Sequence, residues 1–146
     1  MKLCKNYING EWVDSVSGKT APTYNPATGE VLAEMVVSTP EDVDLAVAAA
    51  RTSFYETRDW RDMDSQTRGD ILLKIADLID KYRDELARIE SMDMGKPLRE
   101  AEGDVDDALH CYRYYAGLIK APHGGCYEVN EGFGKMHSFT INEPVG

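Results

Sequence analysis

Residues 97–120 read PLREAEGDVDDALHCYRYYAGLIK. If each residue advances about 100° around an axis, Leu98, Ala101, Val105, Leu109, Tyr112 and Ala116 form one apolar stripe. That spacing predicts a helix over 97–120 that buries the stripe. Pro97 suits a first helical turn, where an amide hydrogen would have no partner, and Gly95 ends what comes before. Upstream, from about Ser65, the residues Ile71, Leu72, Ile75, Leu78, Ile79, Tyr82, Leu86 and Ile89 keep helical spacing with a break near Lys81. Further back, Thr39 can cap a segment with Pro40 at its first position and Asp42 near its positive end, placing Val43, Val47, Ala50 and Phe54 on one face. Three helical stretches sharing one core is the expectation.

The flanks read differently. In residues 7–13, YINGEWV, an Asn-Gly pair sits between aromatic and β-branched residues, the strongest short-range signal for a β hairpin. Residues 23–30, TYNPATGE, read as a loop: Pro26 disfavours helix at Asn25 and Gly29 permits a tight turn. A strand-like run follows over 31–37. Beyond Pro122, His123, Gly124 and Gly125 break the last helix, and 128–134 reads as polar and turn-like. A strand is expected over 135–142, with Phe139 and Ile141 on one face and Ser138 and Thr140 on the other. Nothing later in the chain can pair with it, so it reads as an unpaired edge that either joins the strand at 31–37 or exchanges across an oligomer interface.

Composition narrows the function classes. The 146 residues are 42% hydrophobic, enough for one domain or part of one. Twenty-six acids against sixteen Lys and Arg give a formal net charge of -10, which excludes the basic stripe that nucleic-acid binding needs and suits a cationic ligand better. No apolar run approaches the length of a membrane span, and residues 1–10 have no signal-peptide core, so a soluble, cytoplasmic protein is expected. Cys4, Cys111 and Cys126 are odd in number and have no CxxC spacing, which favours reduced thiols over disulfides or zinc. Cys111 follows His110 directly, yet helical neighbours diverge by about 100° and cannot form a Cys-His pair, so packing is its expected role. The glycines at 124, 125, 132 and 134 do not form a GxGxxG phosphate cradle.

Seven motifs in order carry a resemblance: YINGEW (7–12), NPATGEV (25–31), DVDLAVAAAR (42–51), ADLID (76–80), MGKP (94–97), RYYAG (113–117) and EPVG (143–146). Together they resemble the amino-terminal region of the NAD(P)-dependent aldehyde dehydrogenase superfamily along the whole chain. The resemblance implies an α/β fold, of which this piece is mostly helical with a small hairpin and an unpaired terminal strand. It implies that residues 1–123 form the outer part of the cofactor domain and 124–143 the start of an oligomerisation arm. The family's oxyanion-stabilising Asn, dinucleotide site, general-base Glu and nucleophilic Cys match nothing in residues 1–146, so no catalytic residue is expected here. The full-length enzyme would use NAD or NADP, with none bound by this fragment, to oxidise a small aldehyde as a homo-oligomer joined through the strand at 135–142.

Two sites follow from the same resemblance. The segment DVDDALHCYRYYAG is similar to the DxDD helix of betaine-aldehyde and ω-aminoaldehyde dehydrogenases, which makes Gly103, Asp104 and Asp107 substrate-entrance residues. On a helix Asp104 and Asp107 lie about 60° apart, with Glu100 on the same flank and Asp106 elsewhere; like charges so placed repel, and a cation between them would relieve the repulsion. An ordinary solvated acidic face accounts for the same spacing. Tyr112, Tyr114 and Tyr115 could add cation–π contacts or serve as core. The second site is for a monovalent cation and matches Thr23, Tyr24 and Asp93, although Asp93 reads equally well as an ordinary helix-end residue or one that hydrogen-bonds the turn. Two readings from other classes stand beside the enzyme: a non-catalytic interaction module using its terminal strand, and a small cation-binding protein using the Asp104 and Asp107 face.

Overall fold

A computed structural model of the protein describes residues 2–121, 123–132 and 134–145. Pro122 and Gly146, where the sequence places a helix stop and the end of the last motif, lie outside the described residues. The element order is β1 (Lys2–Cys4), β2 (Asn6–Ile8), β3 (Glu11–Val13), β4 (Thr20–Tyr24), β5 (Val31–Val36), α1 (Pro40–Thr52), α2 (Ser65–Lys81), α3 (Arg83–Met94), α4 (Leu98–Leu118), β6 (Cys126–Glu131) and β7 (Gly134–Phe139). A single π-helical turn, Ser53–Thr57, extends α1.

The expected hairpin is β2–β3, with Tyr7 opposite Trp12. Asn9 and Gly10 both take positive φ, 52° and 83°, the geometry whose twist matches that of the flanking strands. The loop at 25–30 lies between β4 and β5, which pair antiparallel. β1, not anticipated from sequence because it is only three residues long, adds to β5 in parallel and gives a three-stranded sheet of order β1-β5-β4.

Two expectations need correction. The strand at 135–142 is not unpaired: β7 pairs antiparallel with β6, from Cys126 opposite Phe139 to Glu131 opposite Gly134. Residues 126–131 alternate Cys, Tyr, Glu, Val, Asn, Glu, and their polar half conceals a strand whose faces are both wet. The three helical stretches do not share one core either. α4 packs on α2 and α3, whereas α1 lies against β2. Val43 and Val47 on the expected inner face of α1 remain exposed.

The α2–α4 core is built from small side chains. Ala76, Ala87 and Ala101 are fully buried, Ala116 nearly so, and Val105 and Leu109 complete the interior, with Ile79 packed against Ala87, Ala101 and Val105. Gly69 on α2 lies so close to α4 that a Cβ there would sit 3.0 Å from the Ala116 carbonyl oxygen. Small residues bring helix axes together, and their close packing replaces the contacts larger side chains would supply. The break near Lys81 falls at Tyr82, whose ψ of 15° leaves the helical region between α2 and α3.

A buried polar knot fastens α1 to the first sheet. The Asp42 carboxylate, 3% exposed, accepts hydrogen bonds from the Ser15 hydroxyl (2.7 Å), the Val16 amide (3.0 Å) and the Thr39 amide (2.7 Å). The Thr39 bond is the N-terminal satisfaction that the Thr39–Pro40–Asp42 pattern implies. These donors, the Ser15 hydroxyl foremost, lower the Asp42 pKa from 3.8 to about 2. A depressed carboxylate pKa gives stability that is complete above 3.8 and is lost as pH falls from there through about 2. In acid titrations of urea unfolding, Asp42→Asn is expected to start less stable than the parent at neutral pH and to lose less on acidification, so the two curves converge. Parallel curves would disprove the assignment.

Candidate functional site

The face of α4 that carries Gly103, Asp104 and Asp107 is open to solvent, because the opposite stripe of Ala101, Val105, Leu109 and Ala116 is the one buried. Leu98 and Tyr112, expected in that stripe, are exposed, Leu98 at its start and Tyr112 between the buried Leu109 and Ala116. The geometry distinguishes the three aspartates of α4. Asp106 is clamped by Arg83 at the start of α3: Nε donates to Oδ1 and Nη2 to Oδ2, both at 2.6 Å. Hydrogen bonding and charge from Arg83 hold Asp106 below its ordinary pKa, and Asp106 holds the guanidinium above its own. Asp104 is claimed by Lys96, whose ammonium also donates to Glu90 at 2.6 Å. Asp104 first and Glu90 second raise the Lys96 pKa. Asp107 forms no ion pair or hydrogen bond among the described residues.

The repulsion expected between Asp104 and Asp107 is thus relieved from inside the chain, by Lys96. Sequence reasoning missed Lys96 and Arg83 because each reaches α4 from another element, and helix-wheel spacing says nothing about neighbours across a cap. The signal was present in the MGKP motif, which sets a lysine one residue after the α3 cap and two before α4. Tyr114 and Tyr115 are exposed and stack edge-on at 5.2 Å, with no side-chain cation over either ring among the described residues. The cation–π contacts that form involve other rings: Arg51 over Tyr55, Arg61 over Phe54 and Lys81 over Tyr82.

Thr23, Tyr24 and Asp93 are brought to one end of α3. Gly95 ends the helix at φ 73°, and its Cα faces Pro26 so closely that a Cβ would lie 2.6 Å from the ring. This seats the 25–30 loop on the helix end. The Thr23 hydroxyl then donates to Asp93 Oδ1 at 2.9 Å, so one of the two alternatives for Asp93, a bond to the turn, is realised. Among the described residues no three His, Cys, Asp or Glu side chains converge as a metal-binding group. Cys4, Cys111 and Cys126 are exposed free thiols. For Cys111 this corrects the expected packing role, since it falls on the outer side of α4 opposite the buried stripe. No helix among the described residues is long and apolar enough to cross a membrane.

The chain belongs to a known family: the profile described as "Aldehyde dehydrogenase family" matches residues 12–146. Among curated relatives, the chain is 45% identical over 141 residues to "Aldehyde dehydrogenase, mitochondrial" of Equus caballus, covering 96% of this chain and 28% of that protein. It is 42% identical over 147 residues to "Retinal dehydrogenase 2" of Homo sapiens, again covering 28% of the relative. Among solved structures, betaine aldehyde dehydrogenase from Staphylococcus aureus in complex with NAD+ superposes with a TM-score of 0.84 at 36% identity, covering 88% of this chain and 25% of that one. A variant of aldehyde dehydrogenase from Bacillus cereus superposes with a TM-score of 0.82 at 42% identity, covering 88% and 26%. The chain therefore spans little more than a quarter of the length of these relatives.

Gly103 carries a measurable consequence. A Cβ there would meet nothing within 4 Å, so the glycine relieves no clash in this chain. Glycine in a helix interior costs about 0.5–1 kcal/mol relative to alanine. Gly103→Ala is therefore expected to stabilise the chain by about 0.5–1 kcal/mol in urea unfolding; destabilisation would show that α4 needs the bare backbone.

Proposed function

We propose that this chain is the amino-terminal part of an NAD(P)-dependent enzyme that oxidises an aldehyde to a carboxylic acid, and that its own contribution is to draw a cationic aldehyde towards the entrance. The observation that carries the reading is Asp107, an exposed carboxylate without a cationic partner among the described residues, beside the open surface at Gly103. An unneutralised carboxylate at a tunnel mouth attracts an ammonium group, and the overall charge of -10 adds a field of the same sign. Asp104 adds less, because Lys96 offsets it. Betaine aldehyde and ω-aminoaldehydes are the substrate classes that fit; charge alone does not separate trimethylated from primary ammonium. The betaine aldehyde dehydrogenase likeness supports the same choice.

The nicotinamide cofactor supplies hydride acceptance in such a reaction, and the residues in this chain supply scaffold and electrostatics. Gly124 precedes β6 and Gly134 opens β7, neither at a helix start, and we assign the cofactor site to the remainder of the full-length polypeptide. Residues 1–123 then form the outer part of the cofactor domain, and 124–143 begin the arm that pairs with a neighbouring subunit in a homo-oligomer. The β6–β7 hairpin supports this arm, since Tyr127, Met136 and Phe139 are exposed on a two-stranded ribbon. An isolated ribbon of this kind is marginal in water and gains from a further strand. The same surface would serve an interaction module. For a monovalent cation, the free oxygen of Asp93 and the carbonyls of Thr23 and Tyr24 are a partial set of hard oxygen donors. Three free thiols suit a reducing compartment such as the cytosol.

The test compares a cationic with a neutral aldehyde of similar size in the complete polypeptide. A unit charge at about 4 Å is worth about 1 kcal/mol in water, so Asp107→Asn is expected to lower kcat/KM for betaine aldehyde about fivefold while leaving the neutral aldehyde unchanged. Asp104→Asn is expected to have the smaller effect. Equal losses on both aldehydes would reject the cationic reading, and absence of any aldehyde-dependent NAD(P) reduction would favour the interaction module.

A further inference from the structure

The β2–β3 turn carries a chemistry that the aldehyde reading does not use. We infer that Asn9 is a site of spontaneous deamidation, and that conversion of its side chain loosens the hairpin from α1. The chain has five asparagines, and Asn9 alone is followed by glycine; the others precede Tyr7, Pro26, Glu131 and Glu143. The reaction needs the backbone nitrogen of the next residue to attack the side-chain amide carbon. At Gly10 no Cβ shields that nitrogen, and a Cβ built there would meet nothing within 4 Å. At Asn25 the following proline nitrogen has no hydrogen to lose. Asn6 is further restrained by the Ser38 hydroxyl, which donates to its Oδ1 at 2.9 Å, and Asn25 by the Ala27 amide at the same distance. Asn9 forms no hydrogen bond through its side chain among the described residues and is exposed.

The step balances without an oxidant or reductant. The Gly10 nitrogen bonds to the Asn9 Cγ, its proton passes to the departing nitrogen, and ammonia leaves a succinimide. Water then opens the ring at either carbonyl, giving aspartate or isoaspartate. Attack follows transient opening of the turn, which three-residue strands at a surface loop permit readily.

The consequence comes from what the turn touches. Tyr7, Ile8, Asn9 and Gly10 share a shallow cleft with Ala46, Ala49, Ala50 and Ser53 in the second half of α1. A carboxylate in place of the amide sets a charge beside a wall of alanines in which Ser53 alone offers a side-chain donor, and desolvating a charge there is costly. Arg51, the one basic side chain in the last turn of α1, is drawn over Tyr55. Isoaspartate also inserts a methylene into the backbone and breaks the two-residue register between Ile8 and Glu11.

The experiment incubates the folded chain at mildly alkaline pH in oxygen-18 water and maps tryptic peptides over time. Residues 6–19 should gain one heavy oxygen at Asn9, located by fragmentation, before any gain at Asn6, Asn130 or Asn142, with both aspartate and isoaspartate formed. Asn9→Gln should lose the gain. The converted fraction should be cut faster by chymotrypsin after Trp12 than the intact fraction. Earlier conversion at another asparagine, or absence of isoaspartate, overturns the site; equal cleavage of the two fractions overturns the loosening.

Discussion

The structure depends on how closely three helices can approach. α4 reaches α2 and α3 through buried alanines at 76, 87, 101 and 116 and a glycine at 69, where even a Cβ would lie 3.0 Å from the Ala116 carbonyl oxygen. Overpacking a tight core of this kind costs about 1–3 kcal/mol per substitution. The seam sets the rotation of α4 about its own axis, and that rotation turns Gly103, Asp104 and Asp107 outward. The acid face is a consequence of the alanine face.

Two ionic clamps complete the placement. Arg83 takes hold of Asp106 from the start of α3, and Lys96 joins Glu90 near its end to Asp104 on α4. Partly exposed pairs contribute little stability each, but bidentate geometry is directional. Their effect on function is subtraction. They neutralise Asp104 and Asp106 and leave Asp107 as the one aspartate of α4 without a cationic partner among the described residues, so the charge presented outward is smaller than the run of acids suggests.

Much of this was legible in the residues. The Asn-Gly turn, the loop around Pro26, the cap at Thr39 and the break near Lys81 each rest on a local rule that the structure follows, and the stripe on α4 is buried at Ala101, Val105, Leu109 and Ala116 but not at Leu98 or Tyr112. What escaped was set by partners distant in sequence. β1 has three residues and no pattern of its own. β6 looked like a turn because a ribbon wet on both faces loses the alternation that marks a strand. Val43 and Val47 look like a core face, yet each stays about half exposed. For the site, the acids were visible by spacing, whereas their neutralisation by Lys96 and Arg83 depended on how helices meet across a cap. The small-residue seam was readable as composition at helical spacing, but small residues alone do not say which helices approach.

The central claim is that Lys96 neutralises Asp104 and leaves Asp107 free. A double-mutant cycle by urea unfolding tests it directly, pairing Lys96→Met with Asp104→Asn and, separately, with Asp107→Asn. Non-additive stability changes for Lys96 with Asp104, and additive ones for Lys96 with Asp107, are the expected result. Equal coupling of Lys96 to both carboxylates, or to neither, would contradict the account.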